Sequence, residues 1–184
     1  MPIMVRNSLM AVLVSLAILG CKGPKPVSPE IFTAIRNNNL EDVKRFVAHG
    51  WKLETPTDNG TTALHMAVNL DRYEIAEFLL KSGALVDARD QAGLTALNRA
   101  AYAGNIRMAE LMLNHKADIN FGDIHMKTPL LWAARRNQMA MVKFLISKGA
   151  DVKAETDHNE SAAELAEQMG HTEVAAHLRA LGAR

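Results

Sequence analysis

The sequence predicts a mainly α solenoid of about five repeated helix-turn-helix units with hairpin-like loops, and three observations carry that prediction. The first is a recurring core: TALHMAV at 62–68 returns as TALNRAA at 95–101, TPLLWAA at 128–134 and, more weakly, SAAELAE at 161–167, each time 33 residues on. The second is a set of aligned columns at the same spacing. One is alanine throughout (Ala34, Ala67, Ala100, Ala133, Ala166), one is large and apolar (Phe46, Leu79, Met112, Leu145, Leu178), and one is small and apolar (Val43, Ala76, Ala109, Val142, Ala175). The third is a break column of Asn38, Asp71, Gly104, Asn137 and Gly170. These residue types tolerate left-handed backbone, which a tight exit from a short helix requires. A fixed period of this length marks a repeat array.

Each unit thus carries a turn, a short helix starting at Thr or Ser, a break, a second helix and a closing residue from the column Gly50, Gly83, Lys116, Gly149, Gly182. A 33-residue period with a TPLHxA-like core resembles the ankyrin repeat, and the resemblance covers residues 29–184. It implies a concave surface lined by hairpin tips and the outer ends of the first helices, with the second helices on the convex side. It also implies a histidine, here His65, that hydrogen-bonds between neighbouring turns.

Taken in order, residues 1–20 read as a secretory leader, with Arg6 ahead of an apolar run from Leu9 to Leu19 broken only by Ser15. That run falls short of the roughly 20 residues of a membrane span. Ile18-Leu19-Gly20-Cys21 resembles the bacterial lipobox, which implies that Cys21, the sole cysteine, becomes a lipidated N-terminus. Lys22 is not the aspartate that holds many such proteins in the inner membrane, so the resemblance favours the outer membrane, facing the periplasm. Residues 21–28, with Pro24 and Pro26, form a Pro-rich tether. At about 3.1 Å per residue it would hold the first unit roughly 25 Å from the bilayer.

The N-terminal cap repeat spans 29–56, where Pro29 opens a helix, Ile31, Ala34 and Ile35 form its apolar face, and Asn37-Asn38-Asn39 breaks it. The unit 57–89 has Asp58-Asn59-Gly60 as its turn, followed by Thr62 as helix cap. The unit 90–122 places Asn98 in the histidine position and Lys116 in the closing-glycine position, so Lys116 either takes a left-handed backbone at about 1 kcal/mol or relaxes the loop. The unit 123–155 has Met126 where the turn glycine belongs, which predicts a distorted turn. The C-terminal cap repeat 156–184 has Ala163 in place of leucine and a charged face of Glu164, Glu167, Glu173 and Arg179, as an end unit facing water requires.

Composition narrows the function. Lys plus Arg number 21 against 20 Asp plus Glu, and the leader removes only Arg6, so the field that draws proteins to nucleic acid is absent. A single cysteine rules out an internal disulfide. No HExxH, CxxC, GxSxG, P-loop or GxGxxG pattern occurs, so no catalytic residue, metal or cofactor is expected. Met66, Met108, Met112 and Met141 fall in core columns, which reads as packing. Trp132 occupies a column otherwise filled by Met66, Arg99 and Leu165, which reads first as burial between units and second as partner contact.

What remains is binding. The repeat register puts residues that the fold does not need at the tips and first-helix ends: Asp58, Asn59, Thr61, Asn69, Leu70, Gln91, Leu94, Tyr102, Ile124, His125, Lys127, Arg135 and Arg136. Leu94, Ile124 and Tyr102 are apolar or aromatic where water would favour polar groups, and Tyr and Arg are enriched at binding hot spots. The expectation is a non-enzymatic, lipid-anchored envelope protein that binds another protein through its concave face as scaffold or helper. The alternative is an immunity protein that neutralises a toxic enzyme, such as a phospholipase, delivered to the periplasm. An enzyme would need a cluster of perturbed titratable groups that the sequence lacks.

Overall fold

The computed structural model describes residues 29–183; the expected leader, the lipobox cysteine Cys21 and the tether lie outside them. Among the described residues there are ten helices and no strand, only an isolated antiparallel bridge between Glu155 and Ser161. They run as five pairs: α1 (Pro29–Arg36) with α2 (Leu40–Ala48), α3 (Ala63–Asn69) with α4 (Tyr73–Lys81), α5 (Ala96–Ala103) with α6 (Ile106–Asn114), α7 (Pro129–Arg135) with α8 (Met139–Ser147), and α9 (Ala162–Gln168) with α10 (Thr172–Ala180). First helices stack on first helices, α1 on α3, α3 on α5, α5 on α7 and α7 on α9, and each second helix backs its own partner. This is the expected solenoid.

Local sequence explains where each helix starts and stops. Thr62, Thr95, Thr128 and Ser161 sit in extended backbone, and each hydroxyl accepts the amide three residues on, at 3.4, 3.3, 3.5 and 3.2 Å. Pro129 adds a pre-set first turn, where its missing N–H costs nothing. The whole break column is left-handed, with φ of 54° at Asn38 and Asp71, 72° at Gly104, 57° at Asn137 and 78° at Gly170.

Two sequence expectations resolve here, one of them as a correction. Lys116 takes the left-handed option, with φ 66°. The turn at Met126 is not distorted. Met126 adopts φ 58°, its amide donates to the Asp123 carbonyl at 3.0 Å and the Asp123 amide to the Lys127 carbonyl at 3.1 Å, matching the Asp90 turn around Gly93 at 2.9 and 3.1 Å. The stack explains why a methionine tolerates this backbone. Each turn is stitched to the previous one by a single main-chain bond, Gln91 amide to Asn59 carbonyl, Ile124 to Ala92 and Asp157 to His125, at 3.2–3.3 Å, and neighbours on both sides over-determine the shape.

The aligned columns form the core. Ala67, Ala100, Ala133 and Ala166 have no exposed surface, and neither do Leu79, Met112, Leu145 and Leu178, while Phe46 in the cap unit is only half-buried. Alanine in the first-helix column lets adjacent helix backbones approach closely, so the large side chains of the second helices close the outer layer over a thin inner one.

Candidate functional site: an arginine-framed aromatic groove

Stacking at a 33-residue register decides which side chains meet on the open side of α5 and α7. Asn69, Tyr102 and Arg135 share one column, Leu70, Ala103 and Arg136 the next, and Arg99 and Trp132 share the one a turn earlier. Helix α7 therefore lays Trp132 beside Tyr102, edge to face, with ring centroids 5.6 Å apart and planes at 67°. Arg136 lies over the Tyr102 ring at 4.4 Å and Arg135 over Trp132 at 5.6 Å. Between α3, α5, α7 and the second turn lies an open groove of about 430 Å³, lined by Asn69, Leu94, Asn98, Arg99, Tyr102, Ala103 and Trp132.

The walls are held from behind by a buried polar relay. His65 Nδ1 takes the Thr62 amide at 3.3 Å and lies 2.9 Å from its hydroxyl, and Nε2 meets the Leu94 carbonyl at 3.0 Å. An acceptor Nδ1 and a donor Nε2 describe the neutral imidazole. Burial, reinforced by the Arg99 charge, holds its pKa below the ordinary value. Asn98 does the same one unit on: its amide oxygen accepts the Thr95 amide at 2.9 Å and its amide nitrogen donates to the Phe121 carbonyl at 3.1 Å. Asp90 is nearly buried, ion-pairs with Arg99, and accepts the Ala92 and Leu94 amides at 2.9 Å each. Two donors at the groove wall stay unused. Arg99 Nε and Trp132 Nε1 are buried without an acceptor among the described residues, at a cost of about 1–3 kcal/mol each.

Of the residues singled out from sequence, Asp58, Asn59 and Gln91 are exposed at the tips, with Gln91 Nε2 donating to the Asp58 carbonyl at 2.6 Å. Asn69 and Leu70 are exposed where α3 ends, Leu94 and Lys127 are half-buried, and His125 Nδ1 lies 3.2 Å from Asp157. Tyr102 and Ile124 keep 43% and 58% of their surface exposed, so neither is consumed by packing. Arg135 is half-buried and Arg136 exposed. Thr61 is a correction to its expected place on the open surface: it is buried, and its carbonyl accepts the Thr57 amide at 2.9 Å to close the turn. Sequence reasoning missed Arg99 and Ala103 as groove lining, passed over Met126, 59% exposed at the tip beside Ile124, and read Trp132 first as buried packing. The mismatch of an indole in a Met/Arg/Leu column was the available signal.

A family model described as ankyrin repeats (3 copies) matches residues 31–123, 82–156 and 123–184, nearly all of the described structure. The chain belongs to the ankyrin-repeat family. Among curated proteins, it is similar to the potassium channel AKT1 of Arabidopsis thaliana, 40% identical over 58 residues, which is 32% of this chain and 7% of the channel. It is also similar to myotrophin of Xenopus tropicalis, 38% identical over 55 residues, 30% of this chain and 47% of that protein. The matches thus span less than half the length of these relatives. Ankyrin repeats are units of protein–protein interaction, and the groove lies on the face formed by first helices and turns. No group of three His, Cys, Asp or Glu side chains among the described residues could hold a metal ion.

Proposed function

We propose that this ankyrin array binds another protein through the first-helix face of its third and fourth units, as a scaffold or helper in the bacterial cell envelope, held there by lipid on Cys21. The observation that supports the binding reading is the Tyr102–Trp132 pair framed by Arg135 and Arg136. Aromatic and guanidinium groups on an open face match the composition of binding hot spots. The anchoring reading is supported by the lipobox-like Ile18-Leu19-Gly20-Cys21 ahead of a Pro-rich stretch. No helix among the described residues is long and apolar enough to cross a membrane.

The binding test is capture from envelope extracts, followed by titration of the captured protein. Tyr102→Ala combined with Ile124→Asp removes an aromatic anchor and inserts an unpaired carboxylate, each costing about 2 kcal/mol, so affinity should fall about a hundredfold or more with the circular dichroism unchanged. Glu173→Ala, on a second helix, should leave capture intact. Wild-type binding by the double variant, with loss in the Glu173 variant, would assign the partner to the convex face. A captured enzyme whose activity disappears on binding would assign the immunity role in place of the scaffold. For the anchor, Cys21→Ser should abolish acyl labelling, because buried acyl chains at about 0.8 kcal/mol per CH₂ dominate membrane affinity; unchanged labelling rules the lipid out.

A further inference from the structure

We propose that the groove between the third and fourth units takes an extended acidic peptide segment, with one apolar side chain on the aromatic floor and flanking Asp or Glu carboxylates against Arg135 and Arg136. This rests on the first-helix face being the binding surface, and adds the chemistry of what it binds.

Arg135, Arg136 and Lys127 have no carboxylate partner among the described residues. Of the nearby acids, Asp90 is neutralised by Arg99, while Asp123, which accepts the His125 and Lys127 amides at 2.8 and 3.0 Å, and Asp71, which accepts from Asn105 Nδ2 at 2.6 Å, are held in place by neutral donors and keep their charge. Arg135, Arg136 and Lys127 are therefore free to meet an incoming carboxylate, while carboxylates such as Glu74, Glu77 and Glu110 on the second helices already pair with cations.

The guanidinium groups sit over ring faces, at 4.4 and 5.6 Å, with their N–H forks unspent. Stacking pre-orders a planar fork that matches a carboxylate with two parallel hydrogen bonds, so little side-chain freedom is lost when one arrives. The floor asks for something different. Leu94, Ala103, Tyr102 and Trp132 form an apolar surface, and 430 Å³ holds a large side chain and a short run of backbone. Nucleic acid fits poorly, since three cations on one patch of a near-neutral chain would neutralise few phosphates.

The full chain, immobilised in mild detergent, is panned against a random dodecapeptide library, and enriched peptides are then titrated in solution. Enriched sequences should carry an aromatic or aliphatic residue flanked by Asp or Glu. Their affinity should fall about tenfold or more in Arg135→Glu/Arg136→Glu, fall less in the Gln pair, and weaken with salt. The Gln pair, checked by circular dichroism, keeps the test valid if charge reversal disturbs the fold. Non-acidic peptides that lose binding on Tyr102→Ala would overturn the acidic preference and leave the binding face standing. Peptides indifferent to every groove variant would overturn both, and a library that yields no binder counts against the proposal. Vesicles of phosphatidylglycerol in phosphatidylcholine and an oligouridylate run in parallel; preferential binding of either, sensitive to the arginine pair, would assign the groove to lipid or nucleic acid instead.

Discussion

At the scale of single residues, the repeat is held together by polar groups that the core cannot leave unpaired. His65 illustrates the linkage. Its folded pKa lies below the ordinary value near 6.5, so above that pH it is neutral in both states and its contribution is complete. As pH falls through about 6.5 toward the lowered folded value, the unfolded chain takes up a proton that the folded chain resists, and stability drops by at most about 1.4 kcal/mol per pH unit. Asn98 fills the same role without titrating. His65→Asn should therefore flatten the change in urea midpoint between about pH 7.5 and 5.5; an equally steep change in the variant would place the proton uptake elsewhere. Lys116 is a second residue-level case. With φ 66° and an exposed side chain, Lys116→Gly should raise stability by about 0.5–1 kcal/mol, the left-handed strain outweighing the freedom gained by the unfolded chain. An unchanged or lower midpoint would show that the lysine stem contributes packing that offsets the strain.

Among the elements, the turns depend on their neighbours more than on their own sequence. Gly50 and Gly60 have similar left-handed backbone, φ 87° and 79°, but a Cβ at Gly50 would meet nothing within 4 Å, whereas one at Gly60 would lie 2.6 Å from the Gln91 amide nitrogen. Alanine at either position carries the strain of about 1–2 kcal/mol; only at Gly60 must the next turn also move aside. Gly60→Ala should accordingly lose about 1–2 kcal/mol more than Gly50→Ala in chemical denaturation. Equal losses would mean that the turns do not pack as a stack.

For the molecule as a whole, an array is a sum of units and the interfaces between them. The first-helix alanine column is where those interfaces are tightest. Ala100 has no exposed surface and lies on α5, which contacts both α3 and α7, so Ala100→Leu should cost about 1–3 kcal/mol, and more than the same change at the cap-unit Ala34, which keeps 6% of its surface. Denaturation midpoints of the two variants check this, and an undisturbed Ala100→Leu would mean that the column is not a close contact. On the last described unit Arg179 pairs with Glu167, and both side chains keep about half of their surface exposed.

Most of the fold was legible because its determinants are local or periodic. Thr62, Thr95, Thr128 and Ser161 announce helix starts through a hydroxyl three residues from the amide it binds, and the break column announces left-handed turns through residue types that accept them. Tyr102, Ile124 and Arg136 were legible as exposed side chains because the register alone puts them on the open face. What only the tertiary structure decided are contacts between units. Met126 turns as a glycine would because the turns on either side hold it, and Thr61 is buried although the register puts it at a tip. Trp132 became half of an aromatic pair because α7 packs against α5 and brings together residues 30 positions apart in sequence. Local hydrogen bonding and periodicity act within one unit and are written along the chain, whereas the groove exists only where two units meet.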